Sequence, residues 1–95
     1  MTDYREEFIE DAARIAKEKN KVFIITSTHV NGVVSSVRDN SYGSFAAACG
    51  IARDACEKAS SRGKFQHFTV VTGEPEERMD YYTHNLLADY DLLRS

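Results

Sequence analysis

The chain has 95 residues, 42% of them hydrophobic and 28% charged, and its formal net charge is −3. This length and composition are typical of one globular domain spanning residues 1–95, and they exclude a disordered chain. Residues 74–95 hold six acids and two bases (net −4), so the other 73 residues hold nine acids and ten bases (net +1). Because neutralising nucleic-acid phosphates needs a larger basic surplus, direct nucleic-acid binding is not expected.

The N-terminal twenty residues are charged from Asp3 onwards and lack the apolar core of a secretory signal. No uncharged stretch is long and apolar enough to cross a bilayer. We therefore expect a cytoplasmic protein that makes no membrane contact.

A first helix is predicted from about Asp3 to Lys19. Acids fill its early turns and bases its late turns, which complements the helix dipole. Apolar residues recur at three- and four-residue spacing, which indicates one buried stripe. The stripe consists of Tyr4, Phe8, Ala12, Ile15 and Ala16, widened by Ile9 and Ala13.

A β-hairpin is predicted next. Residues 22–25 are β-branched and aromatic, and Asn31-Gly32 is the pair favoured by a two-residue type I′ turn. Such a turn would place Thr26 opposite Val37.

The predicted register assigns the hairpin side chains to two faces. The face expected to meet the core carries Val22, Ile24, Thr26, Thr28, Val30, Val33, Ser35 and Val37. The opposite face, which is half polar, carries Ile25, Ser27, His29, Val34, Ser36 and Arg38.

A second helix follows, with Ser41 or Ser44 as its N-cap and Gly63 as its left-handed stop. Gly50 in its interior indicates close packing of the backbone against the sheet. One face is formed by small or apolar residues, namely Phe45, Ala48, Cys49, Ala52, Ala55, Cys56 and Ala59.

Cys49 and Cys56 fall on this helix, two turns and roughly 10 Å apart. A disulfide requires Cα atoms within about 7 Å of each other. The two cysteines are therefore interpreted as reduced thiols of a cytosolic protein.

Residues 64–72 predict a third strand, with Phe68 and Val70 on one side and Phe65, His67 and Val71 on the other. Pro75 suits the first turn of a final helix. The apolar stripe of that helix is Met79, Tyr82, Leu86, Tyr90 and Leu93.

The predicted element order is α-β-β-α-β-α. This order indicates an α+β domain in which helices pack on a small three-stranded antiparallel sheet with strand order 2-1-3. The first strand is placed at the centre because it carries the densest apolar run.

No catalytic or cofactor motif is present, so neither a cofactor nor a catalytic residue is assigned. His29, His67, His84 and the two cysteines lack the paired spacing of structural zinc ligands, and no metal site is expected. A small acid/base enzyme that uses His29 or His67 is a minor alternative, without a carboxylate forced nearby.

The hydroxyl-rich hairpin offers a second alternative. Ser27, His29, Ser36 and Arg38 would form a site for a small polar ligand, in a ligand-binding or sequestering homo-oligomer. Such hydroxyl groups are more often the solvent side of a sheet.

The leading interpretation is a non-enzymatic protein-binding module that docks through an acidic, tyrosine-bearing C-terminal helix. Acids and tyrosines on such a surface complement a partner with a basic surface. The predicted partner-binding residues are Glu76, Glu77, Asp80, Tyr81, Asp89 and Asp91. A homodimer is also compatible with this interpretation.

The central segment "VVSSVRDNSYGSFAAACGIARDACEKASSRGKFQHFTVV" resembles small accessory proteins of phages and other mobile elements. The shared layout is a hairpin, a helix of small residues at 41–59, the Gly63-Lys64 turn and an "F-x-V-V" strand at 68–71. This resemblance covers fewer than half of the residues. It implies an anti-defence inhibitor, such as an anti-CRISPR protein, that acts by binding in the host cytoplasm.

Overall fold

A computed structural model describes residues 4–28, 33–40 and 43–83 of the chain. The predicted Asn31-Gly32 turn and most of the predicted C-terminal helix lie outside these described residues. In chain order the described elements are α1 (Tyr4–Lys19), β1 (Phe23–Thr28), β2 (Val34–Asp39), α2 (Phe45–Ser61), β3 (Gln66–Val71) and β4 (Arg78–Tyr82).

The four strands form one antiparallel sheet with the order β2-β1-β3-β4. Helix α1 packs on one face of the sheet and α2 on the other. The α+β class is therefore confirmed. The predicted three-stranded sheet was too small, because β4 adds a fourth strand next to β3.

The face of α2 that was predicted to be buried meets the sheet through small side chains. Ala48, Ala52, Cys56 and Ala59 pack against Ile24, Phe68 and Val70. The ends of the helix also follow the prediction, because the Ser44 hydroxyl accepts a hydrogen bond from the Ala47 N–H at 3.1 Å and Gly63 has a φ of 70°. The prediction about Gly50 was wrong, since a Cβ added there would meet nothing within 4 Å.

Helix α1 packs on the sheet with a narrower stripe than predicted. Ile9, Ala12 and Ala16 are buried, whereas Phe8 and Ile15 are 38% and 37% exposed. Positions 8 and 15 precede the buried positions 9 and 16 by one residue, which rotates them by about 100° away from the sheet. Both side chains were expected in the core and lie outside it.

The hairpin register differs from the prediction. Thr26 pairs with Ser36 rather than Val37, and a β-bulge between Thr26 and Ser27 shifts the pairing again, so that Ser27 pairs with Val34. The Thr28 N–H donates to the Val33 carbonyl at 2.9 Å, whereas the predicted register placed Thr28 opposite Ser35.

The new register also changes which side chains share a face. Val37 pairs with Ile25, which is fully buried under α1, and both point to the α1 side of the sheet. The face of Ile25 was expected to be half polar. It is covered because the sheet carries a helix on each side.

The chain forms a strand where the start of the third helix was predicted. Pro75 occupies the second position of a turn closed by the Glu77 N–H and the Glu74 carbonyl at 2.9 Å, a position that favours proline. The Thr72 hydroxyl reinforces this turn by donating to the Glu77 carboxylate at 2.9 Å. Pro75 therefore marks a β-turn that reverses the chain into β4.

The turn between β3 and β4 lies directly on α1 at Gly73, where an added Cβ would collide with the backbone of Lys17. We expect Gly73→Ala to lower the free energy of unfolding by about 1–3 kcal/mol. Gly50→Ala is the matched control, because it meets open space in a helix and should raise this free energy by about 0.5–1 kcal/mol. Urea unfolding followed by circular dichroism measures both, and an unchanged Gly73→Ala stability would contradict the packing of the turn.

Candidate functional site

The described acidic residues near the C-terminus do not form one surface. Asp80 and Tyr81 are consecutive residues of β4, so their side chains point to opposite faces of the sheet. Asp80 accepts hydrogen bonds from Thr69 at 2.7 Å and from Arg78 at 3.1 Å on the α1 side. Tyr81 packs against the core under α2.

The other predicted partner-binding residues do not share one exposed surface either. Glu76 is exposed, whereas the Glu77 carboxylate is half-buried and bonded to Thr72. Asp89 and Asp91 lie outside the described residues. The role of these acids in docking stays a prediction, but the helical face that was to carry them is replaced by a strand as far as Tyr82.

The hydroxyl-rich ligand site is not brought together either. Ser27 is buried and accepts a hydrogen bond from the Arg5 guanidinium at 2.8 Å. Ser36 and Arg38 are exposed on the opposite face of the sheet, because they pair with Thr26 and Ile24. His29 lies outside the described residues.

His67, one of the two histidines proposed as a general base, is only 6% exposed. Its ring meets Tyr82 edge to face, with centroids 4.2 Å apart and an interplanar angle of 85°. It pairs across the sheet with Ser27, beneath α1. This burial keeps its imidazole from a substrate at the surface.

Cys49 and Cys56 are free thiols on α2, half-buried and buried respectively. Burial raises the pKa of the Cys49 thiol, and a hydrogen bond from Tyr81 offsets only part of that rise. Burial and the nearby Glu57 likewise raise the pKa of Cys56. Both thiols are therefore protonated near neutral pH and are poor nucleophiles.

Neither metal-binding nor membrane-spanning features occur within residues 4–28, 33–40 and 43–83. No three His, Cys, Asp or Glu side chains gather there in a way that would hold a metal ion. Neither α1 nor α2 combines the length and the apolarity needed to cross a membrane.

An open apolar depression lies between α1 and β2. It is a groove of about 540 Å³ lined by Glu7, Phe8, Asp11, Val33 and Val34, which we call the α1–β2 groove. Phe8 forms one wall and is 38% exposed, while Val33 forms the other and is 45% exposed. Val34 closes the floor by packing against the core under α1.

The α1–β2 groove carries negative charge. Glu7 and Asp11 are four residues apart on α1 and therefore lie on the same side of the helix. No basic residue is among the described residues that line the groove. Asp11 forms an exposed ion pair with Arg14 at 3.1 Å, a contact that contributes little in water.

Beside the groove, β2 is the edge strand of the described sheet and pairs only with β1. Five of its six residues are exposed, whereas five of six in β3 are buried. Val37 lies on the α1 side of β2 and is 43% exposed. A further apolar side chain is therefore exposed on the α1 side of this edge.

Two arginines hold α1 in the position that shapes the groove. Arg5 on α1 donates to the Ser27 hydroxyl at 2.8 Å and to the Thr28 carbonyl at 2.9 Å. Arg78 on β4 donates to both carboxylate oxygens of Glu6, at 2.8 and 3.1 Å. The hydrogen bond with Glu6 raises the pKa of Arg78 above its already high ordinary value, so the guanidinium keeps its charge.

A smaller cleft of about 250 Å³ lies at the other end of α1. Its charged lining residues have both signs, with Lys17 and Lys21 facing Glu74 and Glu77. Mixed charges do not select one class of ligand. This cleft is therefore a weaker candidate for a binding site than the α1–β2 groove.

Comparison of the chain with protein-family models, with curated proteins and with solved structures found no match. The candidate site therefore rests on the geometry and chemistry of the chain alone.

Neither wall of the groove was predicted from the sequence. Phe8 and Val33 were assigned to the core, as was Val37 further along β2, and Glu7 was treated only as a charge that suits the helix dipole. One available signal was the competition between two stripes on α1. Ile9, Ala12 and Ala16 form a complete stripe by themselves, which leaves Phe8 and Ile15 on an adjoining face.

The Cys49–Tyr81 contact predicts a loss of stability in alkali. Burial and the nearby thiol raise the pKa of Tyr81 above its ordinary value of 10.0, and that of Cys49 lies above 9.0. Above about pH 9 the unfolded chain releases protons that the folded chain retains, so the free energy of unfolding falls as pH rises.

Urea unfolding between about pH 8 and about pH 11 measures this loss. The double variant Cys49→Ser, Tyr81→Phe removes both groups and should show a shallower decline than the wild-type chain. Equal slopes for both proteins would contradict the raised pKa values of this pair.

Proposed function

We propose that the chain is a protein-binding module whose α1–β2 groove docks a partner segment that combines apolar and basic side chains. The observation that carries this proposal is an open apolar groove with two carboxylates, placed beside an edge strand, β2, that pairs with β1 alone among the described strands.

Exposed apolar side chains cluster at the groove. Six large apolar side chains are exposed in the described part of the chain, namely Phe8, Ile15, Val33, Val37, Phe65 and Met79. Single exposed apolar side chains are normal, but a continuous apolar surface rimmed by polar groups is typical of an interaction site. Phe8 and Val33 form such a surface at the groove, and Val37 is exposed on the same α1 side of β2.

The negative charge of the groove favours a basic partner. Glu7 and Asp11 give the groove a negative rim, so lysine or arginine side chains of a partner would be attracted and acidic segments repelled. The proposal keeps the basic partner expected from the sequence. It transfers the docking surface from the acidic C-terminal segment to the groove.

A second copy of the chain is a poorer occupant on the same grounds. In a two-fold dimer with antiparallel pairing of β2 edges, both α1 helices would lie on the same side of the joined sheet. Glu7 and Asp11 of the two copies would then face each other across the dimer, and like charges at an interface disfavour association.

The proposed action is occlusion of a partner surface, without chemistry on the partner. Inhibition of a host defence protein, which the resemblance to phage accessory proteins implies, remains a prediction about the identity of that partner. The small-ligand alternative has less support, because Ser27 and Ser36 lie on opposite faces of the sheet.

Selection from a yeast-displayed library of random peptides tests the proposal. We expect the selected peptides to combine apolar residues with lysine or arginine and to bind more weakly as the salt concentration rises. Phe8→Ser should weaken their binding by about tenfold or more, because it removes one wall of the groove. Asp11→Asn should weaken it by a smaller factor and reduce its dependence on salt.

Met79→Ser is the matched control, since Met79 is 44% exposed, lies on β4 at the other edge of the described sheet and is outside the groove. This variant should bind the selected peptides as the wild-type chain does. Acidic selected peptides, or equal weakening by Phe8→Ser and Met79→Ser, would overturn the proposal. A dimer in light scattering that Phe8→Ser dissociates would instead assign the groove to a second copy.

A further inference from the structure

Resting on the proposed function, we infer that the partner segment binds in an extended conformation, as an additional strand paired with β2. The occupant is a short segment whose alternate residues are apolar and basic.

The backbone of β2 determines which of its polar groups are directed at a partner. The Asn40 N–H donates to the Val22 carbonyl at 2.8 Å, which makes Asn40 a position that faces β1. In an antiparallel pair these positions alternate along the strand, so Arg38 and Ser36 also face β1. The N–H and carbonyl of Val37 therefore point away from β1, toward the open edge.

An extended segment suits these groups better than a helix does. A helix laid along the open edge of β2 would cover the Val37 backbone groups without bonding them, and buried polar groups that lack hydrogen bonds are costly. A strand bonds them and also places alternate side chains on the apolar face.

The bulge sets the length of the added strand. It interrupts regular pairing between Thr26 and Ser27, so the regular part of β2 runs from Ser36 to Asp39. A bulge of this kind bends the edge and limits pairing beyond it. The added strand accordingly pairs over about four residues, and specificity depends on its side chains on the two faces of β2.

The two faces of β2 determine the sequence pattern of the segment. On the α1 side, its side chains would meet Val37 and Phe8, with Glu7 and Asp11 beyond them, which favours apolar residues around a lysine or arginine. On the other side, its side chains would lie beside Ser36 and Arg38, both exposed and polar. Small hydroxyl residues suit that side.

The peptide acetyl-Thr-Val-Thr-Lys-Thr-Val-Thr-amide is a probe with this pattern. Bound as a strand, it should slow hydrogen exchange of the Val37 amide, while the Arg38 amide, already directed at β1, serves as an internal reference. Two isomers, N-methylated either at the Val, Lys and Val residues or at the last three Thr residues, remove hydrogen-bond donors from one edge each. One isomer should lose binding by about tenfold or more and the other should retain it.

A variant of the protein provides a second measurement. Val37→Pro removes the outward N–H without touching the positions bonded to β1, and proline is tolerated at strand edges. It should abolish probe binding, whereas Val37→Thr, which keeps the N–H, should retain it. Thermal unfolding and the amide spectrum of β1 establish that each variant is folded.

Probe binding that survives both N-methylations equally, or that leaves the exchange of Val37 unchanged, would overturn strand addition and leave docking in the groove intact. Absence of probe binding to the folded wild-type chain would overturn the inferred segment class. The library selection, which does not depend on peptide conformation, decides the proposed function separately.

Discussion

The attachment of α1 to the sheet is the constraint on which the candidate site depends. This helix buries only a narrow apolar stripe, and Arg5 and Arg78 fix its N-terminal half to strands on either side of the sheet centre. Because α1 is centred on β1 and β3, it reaches β2 without covering it. The groove, the exposure of Phe8 and the open edge of β2 all follow from that position.

An uncovered edge strand is a hazard for a small protein, because it is a template for pairing with other chains. The bulge and the charged pair Arg38 and Asp39 limit that hazard on β2. They limit it selectively, since they shorten the regular edge and leave the apolar α1 side exposed at Val37. The same devices that hinder unspecific pairing are compatible with a short segment of matching charge.

The sequence was sufficient for the elements defined by local chemistry. The Ser44 cap, the left-handed Gly63 and the small-residue face of α2 act within a few residues, and each was predicted as found. The hairpin register and β4 depend on distant partners. The bulge arises where β1 meets β2, and the turn at Pro75 is closed by Thr72 and Glu77, so a helical pattern of apolar residues was misleading there. The groove was missed for the same reason, since it requires the rotation of α1 and the identity of the edge strand.

The acids of α1 connect stability with the proposed docking. Negative charge in the first turn of a helix is favoured by the helix dipole whatever its partner, and Glu6 and Glu7 both occupy that turn. The sheet engages Glu6 through Arg78, whereas Glu7 lies one position further round the helix and lines the groove with Asp11. A charge pattern that any helix of this kind would favour thus acquires specificity only through the angle at which α1 is fixed. The site is therefore a property of the packing between α1 and the sheet, which explains why no short sequence motif indicates it.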